Sequence, residues 1–147
     1  LDDLDSQTAI RLAGSFTFGD AKVSALYQSV SNVANFKDVN QTTFGVGGSF
    51  KLGAGTVKAQ AYIASELDCK GTGCGDKTGA TMLALGYDHS LSKNTQVYAA
   101  YAVTNNDDAG GYGMAGAGRS ANPGVATDSS GNSESPSGLS FGMVTKF

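Results

Sequence analysis

Short and long connections alternate along the whole of this 147-residue chain. Seven stretches of about ten to twelve residues alternate large and small side chains, and none has a helical period. Tight turns at 19–20, 53–55 and 92–94 alternate with long polar loops at 32–40, 68–79 and 107–137. A transmembrane β-barrel sorts its connections in this way because each end faces a different compartment. The chain is therefore predicted to be all-β, with antiparallel strands at 8–19, 21–31, 41–52, 56–67, 80–91, 95–106 and 138–147.

Each predicted strand has one apolar face and one small or polar face. In the first strand Leu12, Phe16 and Phe18 share a side, and Arg11 and Ser15 share the other. The chain has no run of about 18 apolar residues, which excludes a membrane-spanning helix. A mean hydropathy of -0.15 still suits a membrane barrel, since a spanning strand needs about 9–11 residues with one apolar face. Composition alone would equally suit a soluble β-sandwich.

The small and charged residues of the polar face favour a wide barrel. A barrel of about eight strands fills its interior with side chains, whereas sixteen to eighteen strands leave a water channel. A locally positive wall would favour the passage of anions, and a weakly selective pore is the alternative. The charged residues predicted to line the pore are Arg11, Lys22, Lys51, Lys58, Glu66 and Asp88.

The number of strands predicts that more of the barrel lies upstream. Bacterial barrels have an even number of strands, whereas seven is odd. An open sheet would also leave two unpaired edges in lipid, where no water can hydrogen-bond to their backbone groups. The chain begins at Leu1 and carries no signal peptide, so we expect a processed or truncated product. If nine strands are missing, the seven strands are the C-terminal part of a sixteen-stranded barrel.

Two cysteines lie in a polar, Gly-rich loop with four residues between them. Cys69 and Cys74 could close a small disulfide ring in an oxidising compartment, and two free thiols are the alternative. A zinc site would need two further Cys or His residues nearby, and the chain has a single His. No metal and no cofactor is therefore expected.

Two short motifs resemble enzyme signatures but fail on geometry. Asp88 and Ser90 would point to one side of their strand and His89 to the other, so no catalytic relay can form. The G-x-G-x-x-G pattern at 111–116 is followed by further loop residues and not by a helix, so it does not predict nucleotide binding. Neither enzymatic activity nor a nucleic-acid partner is expected.

Acidic clusters lie at the end of the predicted barrel that carries the long loops. Their carboxylates could hold Ca²⁺ or Mg²⁺ against lipopolysaccharide phosphates, since hard cations prefer oxygen ligands. The simpler interpretation is that they are solvated loop ends. The residues concerned are Asp2, Asp3, Asp5, Asn106, Asp107 and Asp108.

The end of the chain resembles the closing strand of a Gram-negative outer-membrane barrel. The last residues alternate up to a C-terminal Phe147, which predicts a terminal ring in mid-strand that is held by neighbours. In such barrels the assembly machinery reads the terminal aromatic, although Thr145 stands where a hydrophobic residue is more usual. The resemblance implies an assembly signal formed by Phe141, Gly142, Met143, Thr145 and Phe147.

A second segment is similar to a family signature. Residues 86–101, GYDHSLSKNTQVYAAY, resemble the strand-turn-strand signature of general porins from β-proteobacteria and Neisseria, with Asn94 in place of Arg. The resemblance implies a trimeric, sixteen-stranded diffusion channel for small hydrophilic solutes and ions, in an outer membrane with lipid and lipopolysaccharide as neighbours. The alternatives are a small complete barrel acting as an adhesin or structural protein, and a soluble secreted β-sandwich binding module.

Overall fold

The computed structural model describes residues 5–70, 77–113 and 133–147, and these form one antiparallel sheet. The long strands lie side by side in sequence order, and a two-residue strand at Asp68–Cys69 pairs with the start of the third long strand. Among the described residues no helix is long and apolar enough to cross a membrane. The strands are β1 Thr8–Phe18, β2 Ala21–Ser31, β3 Val39–Leu52, β4 Gly55–Ala64, β5 Asp68–Cys69, β6 Ala80–Ser90, β7 Thr95–Asn106 and β8 Ser137–Thr145.

Tight turns join the strands at one end of the sheet. Gly19 and Gly53 open two-residue turns with φ values of 57° and 60°, a left-handed conformation that costs glycine little. The turn between β6 and β7 is closed by Ser92, whose hydroxyl accepts a hydrogen bond from the Thr95 amide at 3.1 Å. Long connections leave the opposite end, as the alternation of connection lengths predicted.

The sheet is a single layer without a hydrophobic core. Ala80 is the one buried hydrophobic residue among the residues described, and the large apolar side chains are exposed. The surface area is 10114 Å², whereas a soluble monomer of 14.9 kDa exposes about 7,000 Å². A β-sandwich would bury one face of each sheet against the other. The described architecture therefore excludes the sandwich alternative.

The strands are staggered as those of a barrel are. The strand register shows how far the turns are offset along the strands. The turn at 53–54 lies about two residues beyond the turn at 19–20, and the turn at 91–94 lies about two and a half residues beyond the turn at 53–54. With about 3.3 Å per residue and about 4.8 Å between strands, this stagger corresponds to an inclination of roughly 40°. Transmembrane barrels incline their strands by about 35–45°. The sheet therefore has the inclination that barrel closure requires, and no pairing between β1 and β8 is present within the described part.

Two predicted strands end at least two residues earlier than the sequence pattern indicated. β4 ends at Ala64 and not at 67, because the Ser65 hydroxyl accepts the Thr42 amide at 3.0 Å and the backbone then leaves the ladder. β8 ends at Thr145, and Phe147 lies beyond it, fully exposed. The Lys146 amide still donates to the Asn94 carbonyl at 2.9 Å, but β7 does not cover the Phe147 ring. The other edge of β8 has no partner in the described sheet, so the expectation that neighbouring strands hold this ring stays a prediction.

Three tyrosine rings lie over glycines of the neighbouring strand. A Cβ atom built at Gly45 would overlap the Tyr62 ring, and one built at Gly142 would overlap the Tyr98 ring. On the other face Tyr87 covers Gly55 in the same way. Each glycine therefore leaves room for an aromatic ring to pack flat against the sheet, which adds contact area in a fold with little other packing.

Candidate functional site

The polar face of the sheet carries most of the charged side chains that the sequence singled out. Directly paired residues point to the same side, so the register places Arg11, Lys22, Lys51, Lys58 and Asp88 together on this face. Glu66 is the exception, because it follows the end of β4. Its Oε1 atom instead accepts the Lys77 amide at 3.1 Å, in the connection between β4 and β6.

Arg11 is held in place by Gln28 on the neighbouring strand. Its Nε donates a hydrogen bond to Gln28 Oε1 at 2.7 Å, and its Nη2 contacts the same oxygen. The amide oxygen is neutral, so the guanidinium keeps its full positive charge on the polar face. The remaining donors of the guanidinium are free to meet an anion or water.

Lys58 and Asp88 form an ion pair across β4 and β6. The Lys58 side chain is 54 % exposed and the Asp88 side chain 19 % exposed, so the pair adds no more than about 1 kcal/mol to stability. Lys22 lies in the same register row as Lys58, with Ser49 of β3 between them. Two lysines therefore stand about 10 Å apart on the wall, and one of them is neutralised by Asp88.

The opposite face is apolar along every long strand. Its large side chains are exposed, and in water a patch of this size would cause association. It includes Ile10, Leu12, Phe16, Phe18, Val23, Tyr27, Phe44, Val46, Phe50, Leu52, Val57, Ile63, Leu83, Leu85, Tyr87, Tyr101, Leu139, Phe141 and Met143. The predicted division into two faces is present in the structure.

The long-loop end of the sheet holds an exposed ion pair. Lys77 Nζ lies 2.5 Å from Asp108 Oδ2. The hydrogen bond and charge of Lys77 lower the pKa of Asp108, and the same contact raises the pKa of Lys77. The pair joins the segment that enters β6 to the segment that leaves β7.

Residues 106–113 fold back against the polar face at this end. Asn106 Nδ2 donates to the Tyr112 carbonyl at 2.9 Å, and the Tyr112 amide donates to Asn106 Oδ1 at 3.1 Å. The Tyr112 hydroxyl contacts Gln41 Nε2 on β3. Burial raises the pKa of Tyr112, and the hydrogen bond from Gln41 opposes that rise.

Sequence reasoning missed Gln41, Tyr62, Tyr98 and Tyr112. The period-2 pattern places the first three on the polar face, but their neutral side chains drew no attention. Tyr112 lies in a Gly-rich loop without periodicity, so no sequence signal could place it.

The other motifs fall in different places. Asp88 and His89 lie on opposite faces, and His89 Nδ1 is 3.2 Å from the Tyr87 hydroxyl.

Cys69 is disulfide-bonded, but Cys74 lies outside the described residues, so the Cys69–Cys74 pairing stays a prediction. Asp2, Asp3 and residues 114–116 of the G-x-G-x-x-G pattern also lie outside them. Within the described ranges no cluster of three or more His, Cys, Asp or Glu residues could hold a metal ion.

Comparison with known proteins decides the family. The profile of the Gram-negative porin family matches residues 2–109, about three quarters of the chain. The chain belongs to this family. Outer membrane porin protein 32 of Delftia acidovorans is 33 % identical over 109 residues, which cover 71 % of this chain and 28 % of that porin. No solved structure matches.

Family membership confirms several expectations. The chain is a porin of the outer membrane, and its antiparallel sheet is barrel wall that the described residues do not close. The chain spans less than a third of the length of the Delftia porin. The family match ends at residue 109, so the assembly signal at the end of β8 stays a prediction.

Proposed function

We propose that this porin forms a water-filled channel for the passive diffusion of small hydrophilic solutes and ions. The observation that carries the proposal is the division of one continuous sheet into an apolar face and a face with Gly, Ser, Thr and charged residues. An apolar face of this extent suits lipid, and the opposite face then borders water. Passive diffusion needs no reacting group, so the proposal assigns no catalytic residues.

The full channel is proposed to have about sixteen strands, of which these seven are the C-terminal part. Three features support this: the two free sheet edges in the described part, the inclination of the strands, and the short share of the Delftia porin that the chain covers. The short turns then face the periplasm and the long loops the outside. A homotrimer, surrounded by lipid and lipopolysaccharide, follows from the family resemblance.

A mild preference for anions is proposed from the charges of the wall. Arg11, Lys22, Lys51 and Lys58 oppose Asp88 alone on this part of the polar face. Glu66 lies in a loop, so the described wall is more positive than the strand pattern predicted. A positive wall raises the local anion concentration and lowers the barrier to anion passage.

The experiment is reconstitution of the full-length porin in planar lipid bilayers. We expect stepwise ohmic conductance, and under a gradient of KCl a reversal potential of the sign that chloride preference gives. Absence of conductance from protein that forms heat-modifiable oligomers would refute the channel. Conductance with a potassium preference would refute the selectivity alone.

A further inference from the structure

We infer that residues 106–113 narrow the external mouth of the channel, and that contact between Tyr112 and Gln41 holds them there. The inference rests on the proposed channel and adds a size limit to it. Within the described residues, Tyr112 is the only residue of the 107–136 connection whose side chain is hydrogen-bonded to a strand other than β6, β7 or β8.

The first observation is the reach of the segment across the wall. Asn106 ends β7 and Gln41 belongs to β3, with β4 and β6 between them. The backbones of β3 and β7 are therefore separated by about 14 Å of sheet. Tyr112 is fixed to Asn106 by two hydrogen bonds, and its hydroxyl contacts Gln41. The segment thus crosses the inner side of the wall and does not extend away from it.

The second observation is burial on the polar face beneath the segment. Thr104 is 3 % exposed and Ala80 is 8 % exposed, and both belong to the polar face near the long-loop end. Elsewhere on this face the described side chains are open to solvent or half-buried. Ala80 is the register partner of Asn106, whose side chain holds Tyr112 by two hydrogen bonds, so the buried residues lie next to the attached segment. Thr104 and Ala80 are therefore buried on the side of the wall that faces the proposed channel.

Backbone hydrogen bonds make the segment rigid near β6. The Asp107 amide donates to the Gly79 carbonyl at 3.0 Å, and the Ala109 amide to the Lys77 carbonyl at 2.9 Å. The Ser133 hydroxyl also contacts the Gly110 carbonyl. These bonds attach the segment to the β6 side, and none of them reaches β3.

The contact between Tyr112 and Gln41 is therefore the attachment on the β3 side. Gln41 is itself oriented by a second hydrogen bond, from its Nε2 to the Ser65 carbonyl at 3.1 Å. Loss of the Tyr112 ring would leave the segment attached at residues 77–79 but free to move away from β3. The mouth would then be wider, whereas the charged residues lower on the wall would stay unchanged.

The test compares variants of the full-length porin. Single-channel conductance in KCl and the swelling of porin-containing vesicles in sugars of increasing size measure the opening. Tyr112→Ala and Gln41→Ala should both raise conductance and admit larger sugars. Tyr101→Ala removes an equal ring from the apolar face and serves as the control, with no expected change in either readout.

The outcomes separate the inference from the proposed function. A wild-type protein that assembles but does not conduct would refute the channel itself. A conducting wild type with unchanged or reduced openings in both variants would refute the size limit only. Gln41→Ala keeps the test decisive if Tyr112→Ala fails to form heat-modifiable oligomers. The double variant should widen the mouth no more than either single variant, since both break one contact.

Discussion

The Tyr98 ring lies against Gly142 of the adjacent strand, in the space that any side chain at position 142 would occupy. The two residues are direct partners in the register between β7 and β8. The same relationship joins Tyr62 to Gly45 on β4 and β3. In a single-layer sheet such pairs supply packing that a hydrophobic core would provide elsewhere.

Substitution of Gly142 by alanine is expected to lower the free energy of unfolding by about 1–3 kcal/mol, because the added methyl group overlaps the Tyr98 ring. Urea titration followed by the heat-modifiable gel shift measures the change. Gly86→Ala is the control, since the atoms nearest to its new Cβ lie at 3.8 Å.

The Gly45→Ala variant distinguishes a loss of packing from a defect in barrel assembly. It creates the same overlap with Tyr62 outside the predicted assembly signal, so it should destabilise the fold to a similar degree. Equal stability of the Gly142→Ala and Gly86→Ala variants would show that the ring moves aside without cost.

Ion selectivity should shift in opposite directions when the two members of the Lys58–Asp88 pair are neutralised. Asp88→Asn leaves Lys58 uncompensated and strengthens the preference for anions, whereas Lys58→Gln weakens it. Reversal potentials in a KCl gradient measure both changes. Asp20→Asn, in the turn between β1 and β2, is the matched control. Shifts of the same sign in both variants would contradict the positions assigned to these charges.

The phenol of Tyr112 is expected to stay protonated above pH 10, because burial raises its pKa. Its raised pKa stabilises the folded segment below the ordinary tyrosine pKa of 10.0, and this contribution is lost as the pH rises through the folded-state value. The ultraviolet titration of wild type minus Tyr112→Phe isolates this group.

Gln41→Ala provides a second readout of the same group. Removal of the Gln41 side chain should free the Tyr112 ring from β3 and expose it, so the Tyr112 pKa should fall towards its ordinary value. A further rise of the pKa, caused by loss of the hydrogen bond that lowers it while the ring stays buried, would contradict the inferred attachment. A fall of the pKa to the ordinary value would mean that the ring has moved into water. That result would accompany the wider mouth inferred above.

The predicted disulfide can be tested by alkylation of the unfolded porin before and after reduction. If Cys69 and Cys74 are bonded, neither is labelled until reductant is added, and two labels are then gained. A Cys74→Ser variant should label at Cys69 without reductant. Labelling of the wild type before reduction would contradict the pairing.

Much of the wall was predictable from the sequence, and the external end was not. The alternation around Phe16, Phe50 and Leu85 predicts the apolar face because strand geometry sends successive side chains to opposite sides. The same rule predicted Glu66 on the polar face of β4, but the strand ends before it. The Ser65 hydroxyl accepts the hydrogen bond of the Thr42 amide, and the β4 backbone then leaves the sheet. It also placed Phe147 in mid-strand, although β8 ends at Thr145.

By itself the sequence determined the all-β class, the two faces of the strands and the sorting of short and long connections, since these depend on local geometry and on chain order. Tertiary structure alone decided that Lys58 pairs with Asp88, that Tyr98 covers Gly142 and that Tyr112 reaches Gln41. Each of these contacts joins residues from different strands or loops. Their distances depend on the strand register and on the path of the loop, which no local pattern encodes.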